Sequence, residues 1–325
     1  MKHLILDFLK VTQQAALAAK PWIGRGQKNE ADGAATAAMR RMLGKMEMDG
    51  IVVIGEGEMD EAPMLYIGEK VGTGSGPKLD IAVDPLEGTI LVAGGQDNST
   101  AVIAAAPRGC LLHAPDMYME KLVVGPKARG VINLSEPVVD NVRRVAAAAG
   151  KAIDDITVMI QSRDRHEKVV QEIRQLGARV RLFDEGDVTC AISAAIDETG
   201  IDLFYGIGGA PEGVISAVAV KCLGGDMQAK LLPGSAAEYE RCVAMGITDP
   251  NKLLMHHDLI SSDNCIFAAT GITTGLLLQG VTTDAGKQEI THSLLTYGNS
   301  NGPQFIRTIH ECGRCPDEQN SFDCK

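Results

Sequence analysis

Short apolar runs alternate with helix-length amphipathic stretches along most of the chain, separated by polar, glycine-rich turns. Leu4, Ile5, Phe8, Leu9 and Leu17 recur at helical spacing before Pro21, which predicts a helix over about 3–20. A glycine-rich link at 24–29 leads to a second helix expected over about 30–48, closed by Asp49-Gly50. Ile51-Val52-Val53-Ile54 and the run of Leu79, Ile81, Ala82 and Val83 read as buried strands, with further strands at 98–106 and 122–125. From about residue 137 the texture changes to helix 138–149, strand 156–160, helix 166–176, strand 179–183, helix 188–196 and strand 201–205. This order predicts βαβ units and a partly parallel sheet, where ligands gather at the carboxyl ends of strands. Residues 265–310 carry β-rich runs broken at Gly271, Gly280 and Asp284-Ala285-Gly286, which predicts an antiparallel meander covering the α/β lobe. The expected fold class is α/β (α+β) in two lobes, 1–135 and 136–325, the second ending in a short cysteine-containing tail.

Polar residues collect where these strands end. Asp84-Pro85 stops the Leu79 strand, because proline fixes φ and biases its predecessor away from helix. Gly88 permits a tight turn, and Thr89 is placed to cap a helix begun by Ile90, Leu91 and Val92. Asp84 and Glu87 therefore leave a strand end beside a helix N-terminus. Such a terminus suits a phosphate, and carboxylates beside it suit hard cations. The alternative is an ordinary polar turn. After Ile54, Glu56, Glu58, Asp60 and Glu61 crowd into one glycine-containing stretch. Like charges beside a buried strand are costly unless a cation neutralises them.

Three further groups fall at successive strand ends. Arg163 and Arg165 offer guanidinium forks suited to phosphate. Glu185 and Asp187 can accept hydrogen bonds from sugar hydroxyls. Gly206-Ile207-Gly208-Gly209 lets backbone N–H groups approach a ligand, with Pro211 and Glu212 starting the next helix. A surface arginine pair, a polar turn and a plain helix start are the alternatives.

Three motifs in order carry a resemblance: Gly55-Glu56-Gly57-Glu58, Asp84-Pro85-Leu86-Glu87-Gly88-Thr89, and Tyr205-Gly206-Ile207-Gly208-Gly209-Ala210-Pro211-Glu212-Gly213. Together they resemble the class II fructose-1,6-bisphosphatases over about residues 1–310. The wider kinship is with lithium-sensitive, magnesium-dependent sugar and inositol phosphatases, whose signature has Asp where this chain has Glu87. The resemblance implies a layered α-β-α-β-α sandwich of the sugar-phosphatase type. It implies metal-dependent removal of the 1-phosphate of fructose 1,6-bisphosphate, as in gluconeogenesis or the Calvin cycle, and in some relatives action on sedoheptulose 1,7-bisphosphate. The implied cofactor is Mg²⁺ or Mn²⁺, held by Asp32, Glu56, Asp84, Glu87 and Glu212, with Thr89, Glu56 and Asp60 catalytic. The implied substrate contacts are Lys28, Glu87, Gly88, Thr89, Tyr118, Arg163, Arg165, Glu185, Asp187 and Gly209. Without the resemblance, Asp32 reads as a first-turn acid facing its own helix dipole, and Tyr118 as an interfacial aromatic. The family has Asp-Gly-Asp where this chain has Glu185-Gly186-Asp187. An inositol- or nucleotide-phosphate phosphatase and a non-catalytic sugar-phosphate sensor are the other readings. Arg163 with Arg165 favours a bisphosphate, and retention of Thr89 and the carboxylates argues against a sensor.

Composition narrows the partners. Aromatics are only 4%, and 31 Lys+Arg against 42 Asp+Glu leave a net charge of −11, which argues against nucleic acid. An acidic protein that handles sugar phosphates must recruit cations locally. The start of the chain lacks a secretory pattern, and the longest apolar run, 265–281, is too short to span a bilayer. A cytoplasmic homo-oligomer, dimer or tetramer, is expected, with no membrane partner. Cys190, Cys222, Cys242 and Cys265 sit singly in apolar surroundings, the pattern of buried free thiols. Cys312, Cys315 and Cys324 stand in a tail unlike the family. With His310 they could make a zinc site, Cys312 and Cys315 could form a redox pair, or the tail is simply solvated.

Overall fold

The computed structural model describes residues 1–55, 65–298 and 302–311. Helices α1 (Ile5–Ala19) and α2 (Lys28–Leu43) precede four strands, β1 (Asp49–Ile54), β2 (Lys70–Val71), β3 (Lys78–Glu87) and β4 (Thr100–Pro107). Short helix α3 (Thr89–Gly94) connects β3 to β4. The chain then crosses to a second sheet at β5 (Tyr118–Val124) and continues through α4 (Val138–Ala149), β6 (Thr157–Gln161), α5 (Glu167–Leu176) and β7 (Arg179–Phe183). Next come α6 (Asp187–Ser193), β8 (Leu203–Gly209), α7 (Ala210–Cys222), β9 (Asp226–Leu231), α8 (Ala236–Ala244), β10 (Leu254–Met255) and α9 (His256–Leu259). The chain finally returns to the first sheet with β11 (Ile266–Gly271), β12 (Thr282–Thr283), β13 (Glu289–Tyr297) and β14 (Gln304–His310).

The first sheet has the order β12-β13-β11-β4-β3-β1-β2, with β14 on β13, and the second β10-β9-β5-β8-β6-β7. Strand β6 runs parallel to both β7 and β8, so the expected βαβ units are present.

The inner strands of both sheets are buried on both faces, which explains their near-continuous apolar runs. In β4, Ala101, Ile103 and Ala105 face the α1–α2 layer, whereas Val102, Ala104 and Ala106 face the interior between the sheets. In β5, Met119 and Val123 point to the same interior, and Leu122 and Val124 point to α4 and α5. Helix α7 fills the middle layer, with Val214, Ile215, Ala217, Val218, Ala219 and Val220 all buried. A helix apolar all round belongs in such a place. The layers therefore run α1–α2, first sheet, α6–α7, second sheet, α4–α5, the α-β-α-β-α sandwich that the resemblance implied.

Several local expectations are corrected. The C-terminal meander does not cover the α/β lobe: β11 pairs with β4 and extends the first sheet. With β5 in the second sheet and β11–β14 in the first, sheet membership does not follow a division at residue 135. Pro85 does not stop β3, which runs on to Glu87 through a register shift between Asp84 and Glu87, a place where a missing N–H donor is tolerated. Helix α2 ends at Leu43, and Asp49-Gly50 opens β1.

Cys190, Cys222, Cys242 and Cys265 are buried free thiols. His310 lies in β14, its Nε2 hydrogen-bonded to Thr291 Oγ1 at 2.8 Å. Cys312, Cys315 and Cys324 fall outside the described residues. Among the described residues no helix is long and apolar enough to cross a membrane.

Candidate active site

The end of β3, the starts of α3, α6 and α7, and the loop after β7 meet in one cavity of about 290 Å³. Asp84, Glu87 and Thr89 line it from the first sheet, and Glu185, Asp187 and Glu212 line it from the layers beyond. Gly88 and Gly186 complete the wall, both with positive φ, at 79° and 92°. Each is the residue immediately before a helix, where the chain turns through a conformation open to glycine.

The β3 residues are held by short local bonds. Asp84 Oδ1 accepts the Leu86 N–H at 3.0 Å, which fixes the carboxylate over the proline bulge. Thr89 is the first residue of α3, and Gly88 occupies the cap position, so the expected capping role is wrong. The Thr89 hydroxyl instead donates to the Leu86 carbonyl at 3.2 Å.

Glu87 is buried, with Oε1 accepting the Val188 N–H at 2.6 Å and Oε2 the Thr100 hydroxyl at 3.1 Å. Burial pushes its carboxyl up to about 8, and Asp187 and Glu212 add to that rise against the pull of the two donors. Glu212, in the first turn of α7, is also buried, and its Oε2 makes no hydrogen bond. Burial raises it too, with Lys121 acting in the opposite sense. Asp32, on α2, has a buried Oδ1 without a hydrogen bond and is likewise raised by burial.

The glycine run before α7 has a use that the sequence did not suggest. A Cβ on Gly209 would lie 1.9 Å from Glu212 Oε2, and one on Gly208 would lie 2.8 Å from Asp187 Oδ2. One on Gly213 would meet Met119 Sδ at 2.4 Å. These glycines make room for side chains.

Arg163 and Arg165 take different partners. Arg163 pairs with Glu185 Oε1 at 2.5 Å and borders a neighbouring cavity, also of about 290 Å³. Arg165 donates to the Ile207 carbonyl and to Gln161 Oε1, both at 2.9 Å, and its guanidinium lies 5.1 Å over the Tyr118 ring. Tyr118 is 55% exposed and pairs in register with Gly209. Lys28 is exposed at the start of α2, and neither it nor Asp32 lines the carboxylate cavity. Helix α2 packs on α3, and the link before it is tied down by Gly24 N–H to Val92 O at 2.8 Å and Gly26 N–H to Ala93 O at 2.9 Å. Glu56 and Asp60 lie outside the described residues.

Sequence reasoning missed three supports. Lys121, 1% exposed, pairs with Asp187. Its signal was a lysine directly before the apolar run 122–124. Asn98, at φ 80°, donates from Nδ2 to the Glu185 carbonyl at 2.9 Å and pins the loop before α6. His166 Nε2 accepts the Ile207 N–H at 2.9 Å, so its Nδ1 carries the proton given to the Gln161 carbonyl at 2.8 Å.

The donor set suits a hard cation. It is all oxygen, and it includes a buried carboxylate oxygen without a hydrogen bond, Glu212 Oε2; a second such oxygen, Asp32 Oδ1, lies on α2. Among the described residues, no three acidic, His or Cys groups stand preassembled as a metal cage.

A family model described as bacterial fructose-1,6-bisphosphatase, glpX-encoded, matches residues 2–310. The chain belongs to this family. The "Fructose-1,6-bisphosphatase 1 class 2" of Escherichia coli (strain K12) is 50% identical over 326 aligned residues, covering 96% of each chain. The "Fructose-1,6-bisphosphatase class 2" of Haemophilus influenzae is 47% identical over 322, covering 95% of this chain and 96% of its own. One solved structure, an extragenic suppressor from Pyrococcus furiosus, overlaps 59% of this chain and 70% of its own at 12% identity, with a TM-score of 0.31. The resemblance to class II fructose-1,6-bisphosphatases drawn from the three motifs is therefore borne out over the span expected for it.

Proposed function

We propose that the chain hydrolyses the 1-phosphate of fructose 1,6-bisphosphate, giving fructose 6-phosphate and inorganic phosphate. The observation that carries this reading is the single cavity in which Asp84, Glu87 and Thr89 from one sheet meet Glu185, Asp187 and Glu212 from the other side. Asp32, Glu56, Asp84, Glu87 and Glu212 would hold Mg²⁺ or Mn²⁺. When bound, the divalent cation offsets the phosphate charge and lowers the pKa of water.

The chain's own residues divide the remaining work. Thr89, already fixed at the mouth of α3, turns its hydroxyl from Leu86 toward the scissile phosphate, and Gly88 keeps the approach clear. Glu56 and Asp60 orient the attacking water. Asp187 and Glu185 accept hydrogen bonds from the sugar. Arg163, Arg165 and Tyr118 hold its distal phosphate, with Lys28 and Gly209 at the margins. Sedoheptulose 1,7-bisphosphate fits the same arrangement, because the reacting end of the two sugars is alike. A homo-oligomer, dimer or tetramer, is supported by Phe305 and Ile309, exposed on β14 at 44% and 48%.

The test is phosphate release from fructose 1,6-bisphosphate, sedoheptulose 1,7-bisphosphate, an inositol monophosphate and a nucleoside monophosphate, each with Mg²⁺ and Mn²⁺. A bisphosphate leads the panel if the reading is right. Preference for either monophosphate contradicts it.

A further inference from the structure

Lys121 sits in the middle of β5, 1% exposed, with apolar Met119, Leu122 and Val123 around it in the strand. A buried ammonium needs both a counter-charge and hydrogen-bond acceptors. The structure supplies both. Nζ pairs with Asp187 Oδ2 and donates to the Gly209 carbonyl at 2.9 Å. These two partners belong to different elements. Asp187 opens α6, and Gly209 is the residue before α7.

The neighbouring sequence is cut to fit this lysine. A Cβ at Gly208 would lie 3.2 Å from Lys121 Nζ, and one at Gly213 would lie 3.2 Å from its Cδ. Two glycines of the 206–213 stretch thus clear the path of one side chain. Asp187 lines the carboxylate cavity, whereas Lys121 lies behind it and does not. Lys121 therefore acts on the cavity from behind, through the Asp187 carboxylate that it holds.

We propose that Lys121 is a positioning residue, which fixes the Asp187 carboxylate to receive a sugar hydroxyl. The proposal rests on the reading of Asp187 as a substrate contact given under Proposed function.

The experiment is a double-mutant cycle with Lys121→Met, Asp187→Asn and the two combined, read as kcat and KM for fructose 1,6-bisphosphate at saturating Mg²⁺. Each single change is expected to lower kcat/KM by about 10- to 100-fold, mainly through KM. The combined variant is expected to be no worse than the poorer single one, because both changes remove the same contact. Losses that multiply, or a Lys121→Met enzyme with unchanged KM, overturn the proposal. If Lys121→Met alone does not fold, because it leaves Asp187 without its cation, the combined variant still carries the test. Its kcat/KM should equal that of Asp187→Asn, and a further fall contradicts the claim. A wild-type chain without turnover on either bisphosphate would instead remove the functional reading itself.

Discussion

Glu87 Oε1 accepts the Val188 N–H at 2.6 Å, so the last residue of β3 is fastened to the first turn of α6. One bond joins the first sheet to the middle layer at the floor of the carboxylate cavity. It places Glu87 close enough to Asp187 and Glu212 for both to oppose its ionisation.

Glu87→Gln separates the structural use of this side chain from the chemical one. A glutamine keeps an oxygen for Val188 and the same reach to Thr100, while the carboxylate that a cation would bind is lost. Thermal unfolding without metal should show a stability within about 1 kcal/mol of wild type. Turnover of fructose 1,6-bisphosphate should fall by about 10²-fold or more. A variant that unfolds readily would show that Glu87 mainly holds the layers together.

Gly209→Ala tests the use assigned to the glycine run. The backbone there, at φ −66° and ψ 144°, is open to alanine, so the obstacle is the Glu212 carboxylate alone. Moving that side chain should cost about 1–3 kcal/mol of stability and weaken divalent-cation activation at the same time. An alanine variant with the wild-type activation curve would show that Glu212 has another place to go.

His166 gives the protein a pH dependence of known sign. Burial lowers its pKa first, and Arg165 and Arg163 add to this against the Gln161 carbonyl. In the unfolded chain it titrates near 6.5, so between the lower folded value and 6.5 the unfolded state binds more protons. Its contribution is fully present above about 6.5 and is lost as pH falls through that window, at no more than about 1.4 kcal/mol per pH unit. Urea unfolding of wild type and His166→Gln at several values between pH 5 and 7 should give a shallower slope for the variant. Parallel slopes would mean that folding leaves the titration of His166 unchanged.

The layers and most of their elements were legible in the sequence, because period-two and period-3.6 patterns survive wherever a face is buried. Ala101 to Ala106 alternates between two interiors, and α7 is apolar all round, so both state their layer directly. The destination of the C-terminal strands was not legible. Pairing of Ile266 with Ala105 is a long-range choice that neither segment encodes by itself. Pro85 misled because a bulge lets a strand pass through proline, and Thr89 because an αL glycine took the cap.

At the site, residue type was readable and partnership was not. Asp84, Glu87, Glu185, Asp187 and Glu212 were named from strand ends, and they do share one cavity. Arg163 and Arg165 were named together for phosphate, and their partners differ, Glu185 for one and Tyr118 and Ile207 for the other. Lys121 fell just before the strand expected at 122–125, and its meaning depends on Asp187, which lies on a different element.

The central claim is that the first turn of α7 supplies a metal ligand to a site begun on β3. Glu212→Gln measures it most directly. Divalent-cation activation curves for fructose 1,6-bisphosphate hydrolysis are recorded for wild type and variant, beside melting curves without metal. The variant is expected to keep or slightly raise its melting temperature, since a buried carboxylate is removed, while half-saturation by Mg²⁺ or Mn²⁺ moves to at least about tenfold higher concentration and turnover largely disappears. Overlapping activation curves from a well-folded variant would contradict the claim.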